Sequence, residues 1–131
     1  MSEILVNKLT GTSTAGSILV TGEGNSTTTS LQQGLAKAWA KTNAAGTSLE
    51  DSNNVSSLTD NSTGDQTITM NNVMNNALYA VTIGNHSQNS NTLFLRSTAT
   101  PTTTALFRTG AWNGSNYEDC AIASKVTGDL A

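Results

Sequence analysis

Between Glu50 and Val126 the chain is a succession of short β-prone runs parted by turn residues, and that rhythm constrains the fold more than any other feature. "NVSSLT" and "DQTITM" flank the turn cluster "DNSTG", so they read as a hairpin that offers Val55, Leu58, Ile68 and Met70 to a core. "NNVMNN" reads as a loop or a single helical turn. "ALYAVTIG", "NTLFLRS", "TTALFRTG" and "DCAIASKV" follow at near-regular spacing, each bounded by Asn, Gly, Ser or Pro101. Evenly spaced short strands with turn signals predict a mostly β fold, an antiparallel sandwich or barrel-like domain. The sole proline falls between strands, where its missing N–H does no harm.

The amino acids available for such a fold are unusual. Thr, Ser and Asn make up about 40% of the 131 residues, and Leu, Ile, Val and Phe about 19%. Disorder at that apolar content normally goes with high net charge, whereas this chain carries −3 and only 11% charged residues. Thr suits a half-buried pleated surface, and Asn and Gly suit the turns. Burial at ~25 cal/mol per Å² must offset ordering at ~1–2 kcal/mol per residue, so a core this thin points to oligomerisation. Disulfides are no substitute, since Cys120 is the only cysteine. The length suits one domain. No apolar run approaches the ~18 residues of a membrane helix, and "SEILVNKL" lacks the basic region of a signal peptide, so a soluble, cytosolically made product is expected. Six scattered basic residues and a pI of about 4.8 argue against nucleic acid and anionic membranes as partners.

The first part of the chain differs in character. "EILVNKLT" and "SILVTG" are β-prone runs separated by "GTSTAG", and neither is long enough to be stable alone. "LQQGLAKAWAKTN" fits two patterns. Its Ala, Leu, Gln and Lys favour a helix, yet Leu35, Lys37, Trp39 and Lys41 alternate with Ala36, Ala38 and Ala40 as in a strand. A helical turn to about Gly34 followed by a strand is the expectation.

The strings "GLAKAW" (Gly34 to Trp39), "DSNNVSSLTDNSTGD" (Asp51 to Asp65) and "ITMNNVMNNALYAV", with Met70, Met74 and Tyr79 in register, carry a resemblance. The chain resembles a module of tail-fibre and related virion-fibre proteins of tailed bacteriophages, many of them marine phages and prophages. The likeness covers Leu9 to Tyr79 closely and reaches Cys120 to Val126 more loosely. Asn53 departs from it, since the family carries Phe there. The resemblance implies a non-enzymatic, intertwined homotrimer located in the virion and assembled in the bacterial cytoplasm. It also implies two parts: an extended N-terminal attachment stem over residues 1–30 and a β-rich fibre head over residues 31–131. Ile4, Leu5, Val6, Ile18, Leu19 and Val20 would then pair with sister chains or with a neighbouring virion protein. A disordered tail of accidental β-propensity is the plainer reading of the same segment.

Chemical motifs are weak, and no cofactor or metal is expected. His86 and Cys120 fall in a loop and a strand, with no spacing that would give nucleophile, base and orienting group. "DNSTGD" offers oxygen ligands but lacks the acidic spacing and distal Glu of a calcium loop, so it reads as a turn. Asn-x-Ser/Thr triplets at Asn25, Asn54, Asn61, Asn85 and Asn113 are what this composition produces by chance. The best binding candidates are the polar loops of the C-terminal half. "RTGAWNGSNYED" sets Trp112 and Tyr117 among Asn113 and Asn116, and "GNHSQNSN" contributes His86 and Asn89. Aromatic rings on polar loops stack on sugars or anchor a protein partner, although Trp112 could equally cap the core or a trimer axis. Trp39 is expected in the core.

Two function classes follow. One is a tail-fibre component whose trimeric head binds a host-surface glycan or protein with threefold avidity. The other is a head fibre or capsid decoration docked through its N-terminal segment, which a short chain with its own start codon favours. An enzyme such as a depolymerase is disfavoured by only nine acidic residues without a recognisable carboxylate pair.

Overall fold

The computed structural model describes residues 4–11, 18–22, 24, 27–87, 90–96 and 101–130. The chain forms two compact units, Met1–Leu35 and Ala36–Ala131.

In the first unit, β1 (Leu19–Thr21) pairs antiparallel with β2 (Thr28–Ser30), Val20 facing Thr29, and α1 is a single helical turn, Leu31–Gly34. Two backbone hydrogen bonds hold the hairpin, from Gly22 N to Thr27 O and from Leu31 N to Ile18 O, both 2.9 Å. "SILVTG" thus finds a strand partner within its own chain. "EILVNKLT" does not: residues 4–11 contain no strand, because a three-residue apolar run gains too few ladder bonds to nucleate without a neighbour.

The second unit is a sandwich of two four-stranded antiparallel sheets. One has the order β4 (Leu49–Asn53), β3 (Ala38–Thr42), β10 (Ile122–Thr127), β7 (Ala80–Asn85). The other has the order β5 (Val55–Ser62), β6 (Asp65–Met70), β9 (Leu106–Trp112), β8 (Thr92–Leu95). The predicted hairpin is β5–β6, closed at Ser62 and Asp65 by a turn in which Gly64 adopts a φ of 64°. The four later runs became β7, β8, β9 and β10. "LQQG" is the helical turn and "AWAKT" the strand, as the alternation predicts.

Inward-facing residues of both sheets form the core: Ala38, Ala40 and Val126 against Ile68, Met70 and Phe107, joined by Met74 and Tyr79 from the segment before β7. Val55 and Leu58 pack half-buried at its margin. Trp39 is not among them, which corrects the sequence-based expectation. Successive strand residues point to opposite faces, so burying Ala38, Ala40 and Thr42 turns Trp39 and Lys41 outward, and Trp39 is 36% exposed. The small alanines leave room for Phe107 and Ile68, both fully buried.

β4 went unrecognised in the sequence, because Glu50 and Asp51 are poor strand formers. It forms as an edge strand, where both carboxylates stay in water and Glu50 meets Lys41 Nζ at 2.7 Å. Asn54 then carries the chain from one sheet into the other. It adopts a left-handed conformation (φ 55°), its Nδ2 donates to Lys37 O (2.9 Å) and Asn72 O (3.1 Å), and its Oδ1 accepts from Asn72 N (2.7 Å). Asn tolerates that conformation better than most residues, and its amide replaces ladder bonds lost at the corner.

Candidate loop-end binding site

Strand registers bring four connections to one end of the sandwich. Ile122 lies opposite Asn85, Thr92 opposite Trp112, and Asp65 opposite Gly110, while Thr42 accepts a hydrogen bond from Ile122 N (3.0 Å) through its Oγ1. Residues 43–48, 63–64, 86–87, 90–91 and 113–121 therefore share this end. Ala38, the first residue of β3, lies at the other.

The end is held closely. Asn43 Oδ1 accepts from Thr47 N (2.9 Å) and Ser48 N (3.2 Å), folding the β3–β4 loop on itself. Gly64 donates its N–H to Asp119 Oδ1 (2.6 Å) and accepts from Ala111 N (3.1 Å), so the β5–β6 turn is tied to the 113–121 loop. A side chain at Gly64 would stand 2.7 Å from Glu118 N and 2.8 Å from Ala111 O.

Trp112 and Tyr117 bracket the tip as an isolated antiparallel bridge, their rings edge-to-face at 5.0 Å and 76°. Trp112 is half-buried and Tyr117 is 43% exposed, so the pair leaves aromatic surface in solvent. Asn116, Ser115 and Gly114 are exposed between them. Asn113 is exposed as well, but its Oδ1 is engaged by Ser115 N (3.0 Å) and Asn116 N (2.8 Å). Its side chain thereby shapes the turn. His86 is exposed on the neighbouring loop, anchored through its backbone N–H to Ala121 O (2.9 Å). Asn89 lies outside the described residues.

Beneath Tyr117 is an assembly that sequence reasoning missed. On the outer face of the β5–β6–β9–β8 sheet, both of the chain's arginines converge on Asp65. Arg108 donates Nε to Oδ1 (2.6 Å) and Nη2 to Oδ2 (2.5 Å), and Arg96 Nε approaches Oδ2 at 3.0 Å as an ion pair without hydrogen-bond alignment. Asn61 Nδ2 adds a 3.2 Å hydrogen bond to Oδ1. Burial pushes the Asp65 carboxyl upward, but hydrogen bonds from Arg108 and Asn61 and the charges of both arginines outweigh it. The carboxyl is held below its ordinary value of 3.8. The Tyr117 ring covers the Arg96 guanidinium at 3.9 Å, and Phe94 joins the rings at 6.4 Å from Tyr117. Phe94 lies across Gly110, where a Cβ would come within 2.6 Å of its ring, so any larger residue there would displace the ring. Half of the chain's six aromatic residues thus gather on one patch. The alternation in "TLFLR" places Phe94 and Arg96 on one face, but only the register of β8 with β9 brings that face to Asp65.

Cys120 is buried beside Ala111 and Ile122, and burial raises its thiol above the ordinary value. Among the described residues, no group of three His, Cys, Asp or Glu side chains could hold a metal ion, and no helix is long and apolar enough to cross a membrane.

The sequence-predicted attachment residues belong to the first unit. Ile4 and Leu5 are more than four-fifths exposed, Val6, Leu19 and Val20 more than half, and Ile18 is half-buried. Val20, Thr29, Ser30, Leu31, Gly34 and Leu35 line a mostly apolar groove of about 250 Å³. These side chains leave apolar surface in contact with water. Comparison with protein-family models, curated proteins and solved structures found no match to this chain.

Proposed function

We propose that the protein is a structural component of a tailed-phage virion, a tail-fibre element whose β-rich head, carried as an intertwined homotrimer, recognises the host surface. The observation that carries this reading is the Trp112–Tyr117 tip. It is aromatic, partly exposed, ringed by Asn116 and Ser115, and braced from below by Arg96. Such a surface suits the apolar face of a sugar ring or a protein anchor, with amides and hydroxyls supplying direction. His86 stands on an adjoining loop at the same end.

The exposed Ile4–Val6 and Leu19–Val20 surfaces serve as the stem, joining sister chains and the adjoining virion protein. Three chains sharing an axis would cover apolar area that one chain leaves in water. Each head then contributes a weak contact, multiplied by avidity.

The test begins with gold-labelled antibody on intact particles, followed by adsorption in the presence of purified protein. Label on the tail fibres and competition for adsorption are expected. Label confined to the head, with no competition, would instead make the protein a capsid fibre or decoration. Light scattering of the purified chain should give a trimer mass, and a monomer would remove the avidity argument.

A further inference from the structure

We propose that Asn113 is a site of spontaneous deamidation in the folded protein, through which the tip between Trp112 and Tyr117 acquires a carboxylate with age. Of all the asparagines in the chain, only Asn113 precedes a glycine. Three features of the fold promote reaction at this pair. Both residues are exposed. The Gly114 N–H is engaged by no hydrogen bond among the described residues, and the space where a side chain would stand at Gly114 is empty, so water and hydroxide reach the nitrogen. Finally, Asn113 Oδ1 already accepts from two backbone donors, Ser115 N at 3.0 Å and Asn116 N at 2.8 Å.

Those two donors are aimed at the oxygen on which negative charge develops. Hydroxide removes the Gly114 amide proton, and the nitrogen lone pair attacks Asn113 Cγ. The Cγ–Oδ1 π electrons move onto Oδ1, where the Ser115 and Asn116 N–H groups stabilise the tetrahedral oxyanion as an oxyanion hole does. When the intermediate collapses, the Cγ–Nδ2 bond breaks, and Nδ2 leaves as ammonia after taking a proton from water. The product is a five-membered succinimide joining Cγ to the Gly114 nitrogen. Water then opens the ring. Addition at Cγ restores the normal backbone with an aspartate side chain, and addition at the main-chain carbonyl leaves isoaspartate, whose backbone runs through Cβ. The net change is water consumed and ammonia released, with no redox step. Glycine matters because any side chain at the next position would crowd the attack.

The isoaspartyl product lengthens the short connection that the Trp112–Tyr117 bridge closes, and either product adds a negative charge to the tip. The inference rests on the chemistry of this turn and holds whatever the tip binds.

The experiment incubates the intact folded chain at neutral and mildly alkaline pH and follows peptide masses over weeks, with enzymatic methylation to detect isoaspartate. The same chain in urea serves as comparison. Expected is conversion at Asn113 ahead of every other asparagine, at a rate that rises with hydroxide and is at least that of the unfolded chain. Conversion seen only in urea would overturn the proposal, because the fold would then protect the bond. Gly114→Ala should suppress conversion at Asn113, and an unchanged rate in that variant would equally overturn it.

Discussion

Asp65 is the residue on which the outer face depends. It is buried and pairs with two guanidiniums, of which that of Arg96 lies against the Tyr117 ring. Removing one partner of a buried ion pair leaves the others uncompensated, so Asp65→Asn should cost about 3 kcal/mol, read as a lower denaturation midpoint. The folded-state pKa of Asp65 is depressed, so its contribution is complete above the ordinary value of 3.8 and is lost as pH falls through the folded value. Wild-type stability should therefore drop on acidification below about pH 4, and that drop should be smaller in Asp65→Asn. Tyr79 gives the opposite sign. Its hydroxyl lies 2.9 Å from Thr103 O and 2.6 Å from Leu106 O, and burial pushes its pKa up to about 12. A raised pKa favours the protonated folded state, so this stabilisation is present below pH 10 and is lost as pH rises through the folded value. Tyr79→Phe should cost about 1 kcal/mol at neutral pH and should flatten the alkaline loss in a pH series of thermal melts.

Among the elements, the β5–β6 turn and the 113–121 loop act as one piece. Gly64 has a left-handed backbone and no space for a Cβ between Glu118 and Ala111. Gly64→Ala should cost at least about 1 kcal/mol from backbone strain alone, with the close contacts adding to it. Amide exchange should speed up from Ala111 to Cys120 as well as at the turn. Unchanged protection over 111–120 would mean that the two segments do not support each other. Trp112→Ala removes the ring that meets Tyr117 edge-to-face, a pair worth about 0.5–1.5 kcal/mol beyond its buried area. Its melting temperature should fall only modestly while host adsorption by the purified protein is lost. A large fall in melting temperature would identify the ring as structural. β3 shows how an element can be legible and its faces not. Alternation in "AKAWAKT" marks a strand, but alanines and lysines flank Trp39 alike, and the opposing sheet's bulky Phe107 and Ile68 select the alanine face for burial.

Among the described residues of the whole molecule, the core clusters lie entirely within Ala36–Ala131, whereas the apolar side chains before Ala36 are largely in solvent. A fragment spanning Ala36–Ala131 should therefore fold cooperatively, with a β-type circular dichroism spectrum and a single thermal transition. It should fail to incorporate into particles when supplied in place of the intact chain. An unfolded fragment would show that the first unit contributes to the core, and normal incorporation would displace the proposed stem.

Local chemistry along the chain determined most of the strands of the second unit, the β5–β6 hairpin, the helical turn at Leu31–Gly34 and the mostly β, antiparallel class. Alternation, β-branching and turn residues act over a few neighbours and are written in order along the chain. Tertiary structure alone decided three things: the outward turn of Trp39, the sheet change at Asn54 and the convergence of Arg96 and Arg108 on Asp65. Each depends on which strands become neighbours and in what register, a choice made by the summed burial of two sheets. Trp112, Tyr117 and His86 were legible in the sequence as candidates on polar loops, the first two as aromatic residues. Their presence at one end, and the buried charge that supports Tyr117, arise from pairing between residues as far apart as Asp65 and Arg108.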